Sequence, residues 1–576
     1  MQTTTCLNRT KVRILFYFIF VFVLAILSRL IYLQIYQADK LFSLSQKNFT
    51  RIIKVACIRG NIIDINGHLL ATNRPVIDIY WTGTGNKKLS NEQLELIKVL
   101  QKILNIDLSS DEELKKIKLA EKHLKDLPIK SDISFEELSQ ISEQFSASSN
   151  IIIDTKFQRF YPHNELACHL VGYLSTIDLE NIGTMGLEKI LEDDLRGEPG
   201  KVIATINSLG KSLSKNEIKP ALSGNTIKTN IDIHLQRIAE DVFPKNYSGS
   251  LIIMNSKNGA IKTIFSKPNF DPQKFLEGFS CGEWDELKNR QPLLNRALCS
   301  CYPPASIFKL VTTAAALELG IINQESKWCC RGFLNFGNRD YFCAHKEGHG
   351  LITTKEAVSK SCNTFFYEIA KHIDIDTLAN YAKKFGLGES TGIILPEKKG
   401  LIPNSQWKLR VYGEKWWPGE TLSAVIGQSY ICVPPIQIVR MIGGIFEGYL
   451  VNPRILESEE VIKKPLNIRK DVREFLQQSM RTAVSAGTGQ RVNKIRDITV
   501  YAKTGTAQTS SLEKRDLGRE FMEHAWFVSH FSYKDQEWLT MVIMIENAGS
   551  SRVAVETAKE ILIRYRKLLE TDNLII

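Results

Sequence analysis

The chain of 576 residues has no basic stripe, no tandem repeat and no low-complexity tract. Its formal charge of +11 is diffuse, because Lys and Arg alternate with Asp and Glu through most of the chain. This distribution argues against nucleic acid as the main partner. The length corresponds to two or three globular units, each large enough to bury a core.

A signal-peptidase site is also missing after the one long apolar run. Residues 14–36 carry a single charge, Arg29, and exceed the roughly 20 residues that a helix needs to span a bilayer. Because no small-residue motif of the A-x-A type follows Leu27, we expect an uncleaved membrane anchor. Arg29 lies near the end of the run, where its long side chain can reach the interface.

The charges that flank this run predict its orientation. Arg9, Lys11 and Arg13 precede it with no acidic residue among them, which favours a cytoplasmic tail over residues 1–13. The rest of the chain then lies on the outer side of the membrane. On the far side of the run, Lys40, Lys47 and Arg51 reduce this asymmetry.

Cysteine is concentrated in one part of the chain. The total of 11 is odd, so complete intramolecular pairing is impossible. Disulfides fit an exported chain, but thiols close to His345 and His349 also fit a metal site. The clustered cysteines are Cys281, Cys299, Cys301, Cys329, Cys330, Cys343 and Cys362.

A serine three residues ahead of a lysine is the first catalytic pattern. Only Ser306 opens an apolar helix, which two prolines precede and which Gly320 is placed to end. Residues 306 and 309 then share a helix face, and a desolvated Lys309 can act as the base that a serine nucleophile needs. The alternative is an ordinary first-turn serine with a solvated lysine. The same spacing also occurs at Ser208/Lys211, Ser212/Lys215 and Ser511/Lys514.

Two further segments place polar side chains at the ends of elements. Ser361 and Asn363, in KSCNTFFYEIAKHI, lie at the start of a predicted helix, where either could simply cap it. In DITVYAKTGTAQTS, strand alternation puts Lys503 on one face, and Gly505 leaves room for another backbone to lie close. Such a strand suits a substrate that adds to the sheet edge and ends in a carboxylate. Taken singly, the pattern is also typical of an ordinary strand end.

The three motifs together, SIFK, SCN and KTG in this order, match those of the penicillin-recognising serine acyltransferases and β-lactamases. More of the chain is similar to the class B penicillin-binding proteins, and within them to the elongation-type branch, penicillin-binding protein 2. Ala305 and Ser429 depart from the branch, since glycine is usual at both positions. The similar stretches are IRGNIIDINGHLLATN (58–73), RFYPHNELACHLVGYL (159–174), GTMGLEKILEDDLRGEPG (183–200), TNIDIHLQ (229–236), PLLNRAL (292–298), IGQSYICVPPIQ (426–437) and HAWFV (524–528).

The resemblance implies an α/β fold of the α+β kind. We expect a transpeptidase domain over residues 226–576, with an antiparallel sheet flanked by helices. A mixed α+β pedestal of the dimerisation type over 37–225 and the single transmembrane helix precede it. No glycosyltransferase domain is expected, which is the mark of class B. The resemblance places the anchor in the inner membrane and the catalytic domain in the periplasm.

The resemblance also implies an acyl transfer in cell-wall elongation. Ser306 attacks the carbonyl between the two terminal D-alanines of a peptidoglycan stem peptide, and Lys309 takes its proton. Ser361 relays the proton to the leaving amine, and Asn363 holds the substrate amide. An amine of a neighbouring stem peptide resolves the ester, and no cofactor takes part. β-Lactams, which mimic the D-alanine terminus, acylate the same serine.

The KTG strand supplies the other half of the implied site. Lys503, with Thr504 and Thr506, holds the terminal carboxylate of the substrate, and Gly505 allows the close approach. The backbone N–H groups of Ser306 and Thr506 form the oxyanion hole, where one donor is worth about 3 to 4 kcal/mol in other enzymes.

The order of the clustered cysteines resembles a set of zinc ligands. Cys330, Cys343, His349 and Cys362 supply three thiolates and one imidazole, which make a closed structural site. Some members of the elongation branch bind zinc at corresponding positions, with carboxylates at some of them. Cys329 is an alternative to Cys330, and free or disulfide-bonded thiols are the alternative to zinc.

Two other functions use the same residues. In a D,D-carboxypeptidase or β-lactamase-type hydrolase, water resolves the acyl-enzyme, whereas a non-catalytic scaffold would only bind partners of wall synthesis. The anchor and the pedestal favour the crosslinking enzyme, and the complete residue set argues against a scaffold. The resemblance implies two membrane partners, a polytopic glycosyltransferase of the shape, elongation and division family and a rod-complex scaffold protein.

Overall fold

The computed structural model describes residues 9–145, 150–177, 180–206, 212–509, 514 and 517–572. Residues 1–8 of the predicted tail lie outside this set, as do Ser208, Lys211 and Ser511 of the other serine–lysine spacings. The α-helices are α1 Arg9–Ile31, α2 Ala38–Phe49, α3 Asn91–Leu104, α4 Asp111–His123, α5 Phe135–Phe145, α6 Cys168–Val171, α7 Gly186–Ile190, α8 Glu192–Arg196, α9 Ile233–Val242, α10 Lys274–Glu277, α11 Cys281–Arg290, α12 Lys309–Glu318, α13 Thr354–Ser359, α14 Asn363–Ile369, α15 Ile375–Lys384, α16 Ser405–Tyr412, α17 Pro418–Ala424, α18 Pro435–Glu447, α19 Lys470–Ala486 and α20 Arg552–Asp572. The strands are β1 Thr50–Val55, β2 Ile62–Ile63, β3 Leu69–Thr82, β4 Asp126–Lys130, β5 Ile151–Phe160, β6 Leu174–Ile177, β7 Glu180–Gly183, β8 Gly200–Ile206, β9 Ser212–Lys219, β10 Ile227–Lys228, β11 Gly249–Asn255, β12 Ile261–Lys267, β13 Lys327–Cys330, β14 Phe333–Phe336, β15 Arg339–Phe342, β16 Gly350–Thr353, β17 Tyr449–Val451, β18 Lys463–Pro465, β19 Ile498–Ala507, β20 His524–Tyr533 and β21 Trp538–Ile545.

The apolar N-terminal run forms one continuous helical segment. Helix α1 passes into a π-helical turn at Tyr32–Tyr36, and the apolar side chains along it are exposed. By length and composition, Thr10–Tyr36 can cross a membrane. The segment therefore fits the predicted single-pass anchor.

Tertiary contacts divide the chain into two units. The first contains Met1–Arg59, Asn73–Gln158 and Arg196–Gly224, and the second contains Gly60–Thr72, Arg159–Leu195 and Asn225–Ile576. Two stretches of the predicted pedestal thus have their contacts within the second unit. The predicted boundary at residue 225 stays a prediction.

The first unit is mixed α and β. Strands β1, β8 and β9 form an antiparallel sheet in the order β1-β8-β9. Helix α3 begins after Ser90, whose side chain and that of Gln93 form a capping box. The apolar faces of the helices bury Leu100, Ile117 and Ile141 in one core with the side chain of Trp81.

The second unit is built on a five-stranded antiparallel sheet in the order β12-β11-β21-β20-β19. The predicted hairpin over 248–265 forms β11 and β12. Side chains alternate between two cores, because Leu251 faces the layer of α9 and α20 whereas Ile252 faces the layer that includes α18. An antiparallel sheet flanked by helices is therefore confirmed. Strand β19, which carries the KTG motif, is an edge strand of this sheet.

Candidate active site

Backbone hydrogen bonds hold the segment that leads to Ser306. Tyr302 and Val433 exchange two backbone hydrogen bonds of 3.0 Å, and the Ala305 N–H donates to the Gly427 carbonyl at 2.9 Å. Ala305–Ile307 forms a 3₁₀ turn, and the α-helix begins only at Lys309. The prediction of a continuous α-helix from residue 305 is therefore wrong in its first turn, where the bond from Ile307 N–H to the Pro304 carbonyl tightens the chain.

The backbone explains the two positions at which glycine is usual in the family. Ala305 has φ of +48° and Ser429 has φ of +65°. Both values lie in the left-handed region, which is energetically unfavourable for any residue with a Cβ. Gly427 between them also has a positive φ, and a Cβ there would lie 2.3 Å from the Ala305 carbonyl oxygen. Residues 302–307, called the nucleophile segment after the predicted role of Ser306, thus pack against the backbone at Gly427, where there is no room for a side chain.

Lys309 is fully buried and fully hydrogen-bonded. Its Nζ donates to Asn363 Oδ1 at 2.7 Å, to the Ser361 carbonyl at 2.9 Å and to Ser361 Oγ at 3.2 Å. Burial lowers the pKa of Lys309 to about 8, because an ammonium loses its hydration there. The alternative of a solvated lysine is therefore wrong.

Ser361 lies between α13 and α14, Asn363 is the first residue of α14, and both side chains accept a hydrogen bond from Lys309. Cys362 is the N-cap of α14 and no side chain caps this helix, so neither Ser361 nor Asn363 has the capping role. Ser361 has φ of +59°, a strained conformation of the kind that collects at functional sites. Asn363 Nδ2 donates to the Phe342 carbonyl at 3.2 Å, which fixes the orientation of the amide.

Lys503 reaches Ser361 from the opposite side. Its Nζ donates to Ser361 Oγ at 3.0 Å and to the Thr504 carbonyl at 3.1 Å. Burial, and then the positive charge of Lys309, hold the pKa of Lys503 well below its usual range. The buried Thr504 hydroxyl donates to Thr488 Oγ1 at 2.7 Å, whereas the side chain of Thr506 is exposed.

Gly505 brings β19 against the nucleophile segment. A Cβ at this position would lie 3.2 Å from Trp526 Cβ and 3.4 Å from the Pro304 carbonyl oxygen. Ser306, two residues after Pro304, is half-buried, and within the described residues neither its amide nor its hydroxyl makes a hydrogen bond. Within the described residues, Ser306 therefore keeps both groups unengaged.

Sequence reasoning missed three residues of this arrangement. Thr488 pairs with Thr504, the Phe342 carbonyl orients Asn363, and Trp526 packs against Gly505. Thr488 and Phe342 belong to segments without a recognisable motif, so no signal in the sequence pointed to them. Trp526 lies in HAWFV, a stretch that was recognised only as part of the framework.

The predicted metal ligands form a cluster beside the same loop. Donor atoms of Cys330, Cys343, His349 and Cys362 all lie within 4.8 Å of one another, and the three thiols are buried. His349 Nδ1 is 3.5 Å from Cys330 Sγ and 3.6 Å from Cys343 Sγ. The alternative ligand Cys329 is exposed, which leaves Cys330 as the member of the cluster.

The contact between two thiols of this cluster favours one thiolate. The Sγ atoms of Cys343 and Cys362 are 3.9 Å apart, and the hydrogen bond between them lowers the pKa of Cys343 to about 4. The same contact raises the pKa of Cys362. The cysteines that the structure describes are free thiols. The donor set of three sulfurs and one imidazole nitrogen is one that zinc prefers in closed sites.

Comparison with known families assigns both parts of the chain. Residues 249–563 match the penicillin binding protein transpeptidase domain, and residues 54–229 match the penicillin-binding protein dimerisation domain. The chain belongs to the penicillin-binding protein transpeptidase family.

Curated relatives extend over nearly the whole chain. It is 29% identical over 578 residues to peptidoglycan D,D-transpeptidase MrdA of Acinetobacter baumannii, with 93% of this chain and 84% of the relative covered. It is 25% identical over 582 residues to MrdA of Escherichia coli, with coverages of 93% and 91%.

Solved structures show the same architecture. The complex between penicillin-binding protein 2 and MreC of Helicobacter pylori matches with a TM-score of 0.77 and 25% identity, over 90% of this chain and 99% of that chain. A chain of a peptidoglycan synthase complex, described for its coordination of polymerization and crosslinking, matches with a TM-score of 0.76 and 26% identity, over 97% and 98%.

Proposed function

We propose that this chain is a peptidoglycan D,D-transpeptidase of cell-wall elongation, with Ser306 as its nucleophile. One observation carries the proposal: Lys309, Ser361, Asn363 and Lys503 converge in one hydrogen-bonded group, and Lys309 lies three residues after a serine whose hydroxyl and amide are unengaged within the described residues. The names of the curated relatives support crosslinking as the reaction.

In the first step, Ser306 Oγ attacks the carbonyl carbon between the two terminal D-alanines. Its proton passes to Lys309, which can accept it because a pKa of about 8 leaves part of the amine neutral near pH 7. The C–N bond then breaks, and the proton moves through Ser361 Oγ to the leaving D-alanine amine. In the second step, an amine of another stem peptide attacks the ester carbonyl, the ester C–O bond breaks, and the proton of the amine passes through Lys309 to Ser306 Oγ.

The negative charge that develops on the attacked oxygen needs donors. The unengaged Ser306 amide supplies one of them, and we assign the second to the Thr506 amide on the edge strand. In other acyl-transfer enzymes, loss of one such donor costs about 2.7–4 kcal/mol of transition-state stabilisation.

The carboxylate end of the substrate belongs at the KTG strand. Thr506 is its exposed polar side chain, while Lys503 lies behind Ser361 as a buried charge. Thr504 contributes through its bond to Thr488. A bound carboxylate favours the ammonium form of Lys503, because an opposite charge nearby raises the pKa of an amine.

Two experiments test this function. The full chain in detergent should become labelled by a fluorescent penicillin, and Ser306→Ala should abolish labelling. Ser511→Ala, which removes the serine of another serine–lysine spacing, is the matched control and should label normally. With a stem-peptide donor and an added acceptor amine, mass spectrometry should show the crosslinked product; release of the hydrolysed donor alone would identify the hydrolase alternative instead.

We also propose that the cysteine–histidine cluster holds a structural Zn²⁺. Ligands about 2.3 Å from a tetrahedral zinc lie roughly 3.8 Å apart, and the contacts of 3.5, 3.6 and 3.9 Å within the cluster fit this geometry. Cys362 is flanked by Ser361 and Asn363, so a metal there would stabilise the loop that carries both. No step of the reaction passes through it.

The membrane topology and partners are proposed as well. Arg9, Lys11 and Arg13 support a cytoplasmic N-terminus, and hence a single-pass protein of the inner membrane whose catalytic domain is periplasmic. The H. pylori relative was solved with MreC and another relative in a peptidoglycan synthase complex. We infer an MreC-like scaffold and a polytopic glycosyltransferase as partners of this chain, and peptidoglycan stem peptides and β-lactams as its ligands.

A further inference from the structure

The two proposed oxyanion donors lie on separate elements, so something must set the distance between them. The Ser306 amide belongs to the 3₁₀ turn Ala305–Ile307, whereas the Thr506 amide belongs to β19. The described backbone hydrogen bonds of Tyr302 and Ala305 lead to Val433 and Gly427, which are not part of the sheet. A rigid link between the turn and the sheet is therefore needed for a preorganised hole.

Trp526 supplies such a link. It lies on β20 directly opposite Gly505 of β19, and its side chain is fully buried. The indole Nε1–H donates to the Pro303 carbonyl at 3.0 Å. Because residue 505 has no side chain, the indole and the nucleophile segment can both occupy the space above it. One side chain of the sheet thus holds the backbone three residues ahead of Ser306.

A second link approaches the same segment from the end of β21. The Tyr302 hydroxyl donates to Glu546 Oε1 at 2.7 Å, and Arg296 Nε donates to the same oxygen at 3.0 Å. Tyr302 and Arg296 are buried and Glu546 is partly buried, so water competes little for these bonds. The ring of Tyr302 also packs edge-on against the ring of Trp526, with centroids 6.3 Å apart.

We propose that Trp526 and Glu546 are positioning residues that set the width of the oxyanion hole by holding Tyr302 and Pro303 against the sheet. This inference rests on the proposed function and deepens it. Neither side chain touches the substrate. Their effect falls on the rate of acyl-enzyme formation and not on the affinity for the intact ligand, since the oxyanion develops only in the chemical steps.

The test uses stopped-flow acylation of the full chain in detergent by a chromogenic cephalosporin, which separates the pre-acylation Kd from the acylation rate constant. Trp526→Phe keeps an aromatic ring and removes the N–H. We expect its acylation rate constant to fall about 3- to 10-fold, as for the loss of one neutral hydrogen bond, with Kd within about twofold of the wild-type value. Tyr302→Phe loses the bond to Glu546, and its acylation rate constant should also be lower than that of the wild type.

A matched control removes an equivalent bond elsewhere. Trp416 Nε1 donates to Thr421 Oγ1 at 2.9 Å. The acylation rate constant of Trp416→Phe should stay within about twofold of the wild-type value. The burst amplitude gives the fraction of active protein in each preparation. A merely structural role would lower that fraction and the Tm while leaving the rate constant of the active fraction unchanged.

An unchanged rate constant in the active fraction of both Trp526→Phe and Tyr302→Phe would overturn the proposal, as would a loss that appears only in Kd. If Trp526→Phe does not fold, the acylation rate constant of Tyr302→Phe alone decides whether the proposal holds. Failure of the proposed function is distinguishable, because it would appear as the absence of any adduct on Ser306 in the wild-type protein.

Discussion

The side-chain amines of Lys309 and Lys503 both donate to one oxygen, the hydroxyl of Ser361, at 3.2 and 3.0 Å. One amine comes from the helix that follows Ser306 and the other from the edge of the sheet. Burial lowers the pKa of both amines, and the positive charge of Lys309 lowers that of Lys503 further. Lys309, whose pKa is lowered to about 8, is neutral in part near pH 7 and can then accept the proton of Ser306.

The first prediction concerns pH. Only neutral Lys309 can accept the Ser306 proton, and its pKa is lowered to about 8, so the acylation rate constant should rise between pH 6 and 9 with an apparent pKa near 8. Stopped-flow acylation by a chromogenic cephalosporin measures this profile. Lys309→Arg stays charged over the whole range and should acylate at least about 100-fold more slowly. A flat profile would remove Lys309 as the base.

The second prediction concerns the shared hydroxyl. Ser361→Ala removes the group through which both lysines are connected, and acylation should fall about 100-fold or more. Ser359→Ala is the matched control, because Ser359, the last residue of α13, is also buried but its hydroxyl donates only to the Glu356 carbonyl. Labelling with a fluorescent penicillin at several time points compares the two variants. Similar rates for both would contradict the proton relay.

The third prediction concerns the metal. Elemental analysis of purified protein should find one zinc ion per chain, and Cys343→Ser should lose it together with several degrees of Tm. Cys329→Ser changes the neighbouring exposed thiol and should keep the metal. Protein without zinc whose cluster thiols all react freely with a thiol reagent would rule out the site.

The fourth prediction concerns the close approach at Gly505. Gly505→Ala places a Cβ 3.2 Å from Trp526 Cβ and 3.4 Å from the Pro304 oxygen, so the strand or the nucleophile segment must shift. We expect a loss of about 1–3 kcal/mol of unfolding free energy and a slower acylation. Gly282→Ala, within helix α11 with open space around the new Cβ, should be neutral or slightly stabilising. Chemical denaturation measures both variants.

Much of the site could be predicted from the sequence because its parts are local motifs. The serine and lysine of SIFK are one helical turn apart, and the KTG residues share a strand, so local geometry already determines their relation. The helix after Ser306 and the hairpin over 248–265 followed from apolar periodicity and turn residues. The family resemblance then brought distant segments together.

The parts that escaped prediction depend on tertiary structure. The Ala305 N–H, at the start of the 3₁₀ turn, donates to the Gly427 carbonyl, more than 100 residues away in sequence. Periodicity cannot show that Lys309 and Lys503 meet at one hydroxyl, or that Thr504 is paired with Thr488. Residues 60–72 and 159–195 have their contacts in the second unit. The apolar pattern along the sequence did not predict this, because it does not show which unit a segment packs against.

The central claim is that Ser306 is the acylated residue of this site. Peptide mapping by mass spectrometry after reaction with penicillin tests it most directly. We predict one adduct per chain, on the peptide that contains Ser306, with Lys309 and Lys503 unmodified. An adduct on any other serine, or folded protein that forms none, would contradict the account.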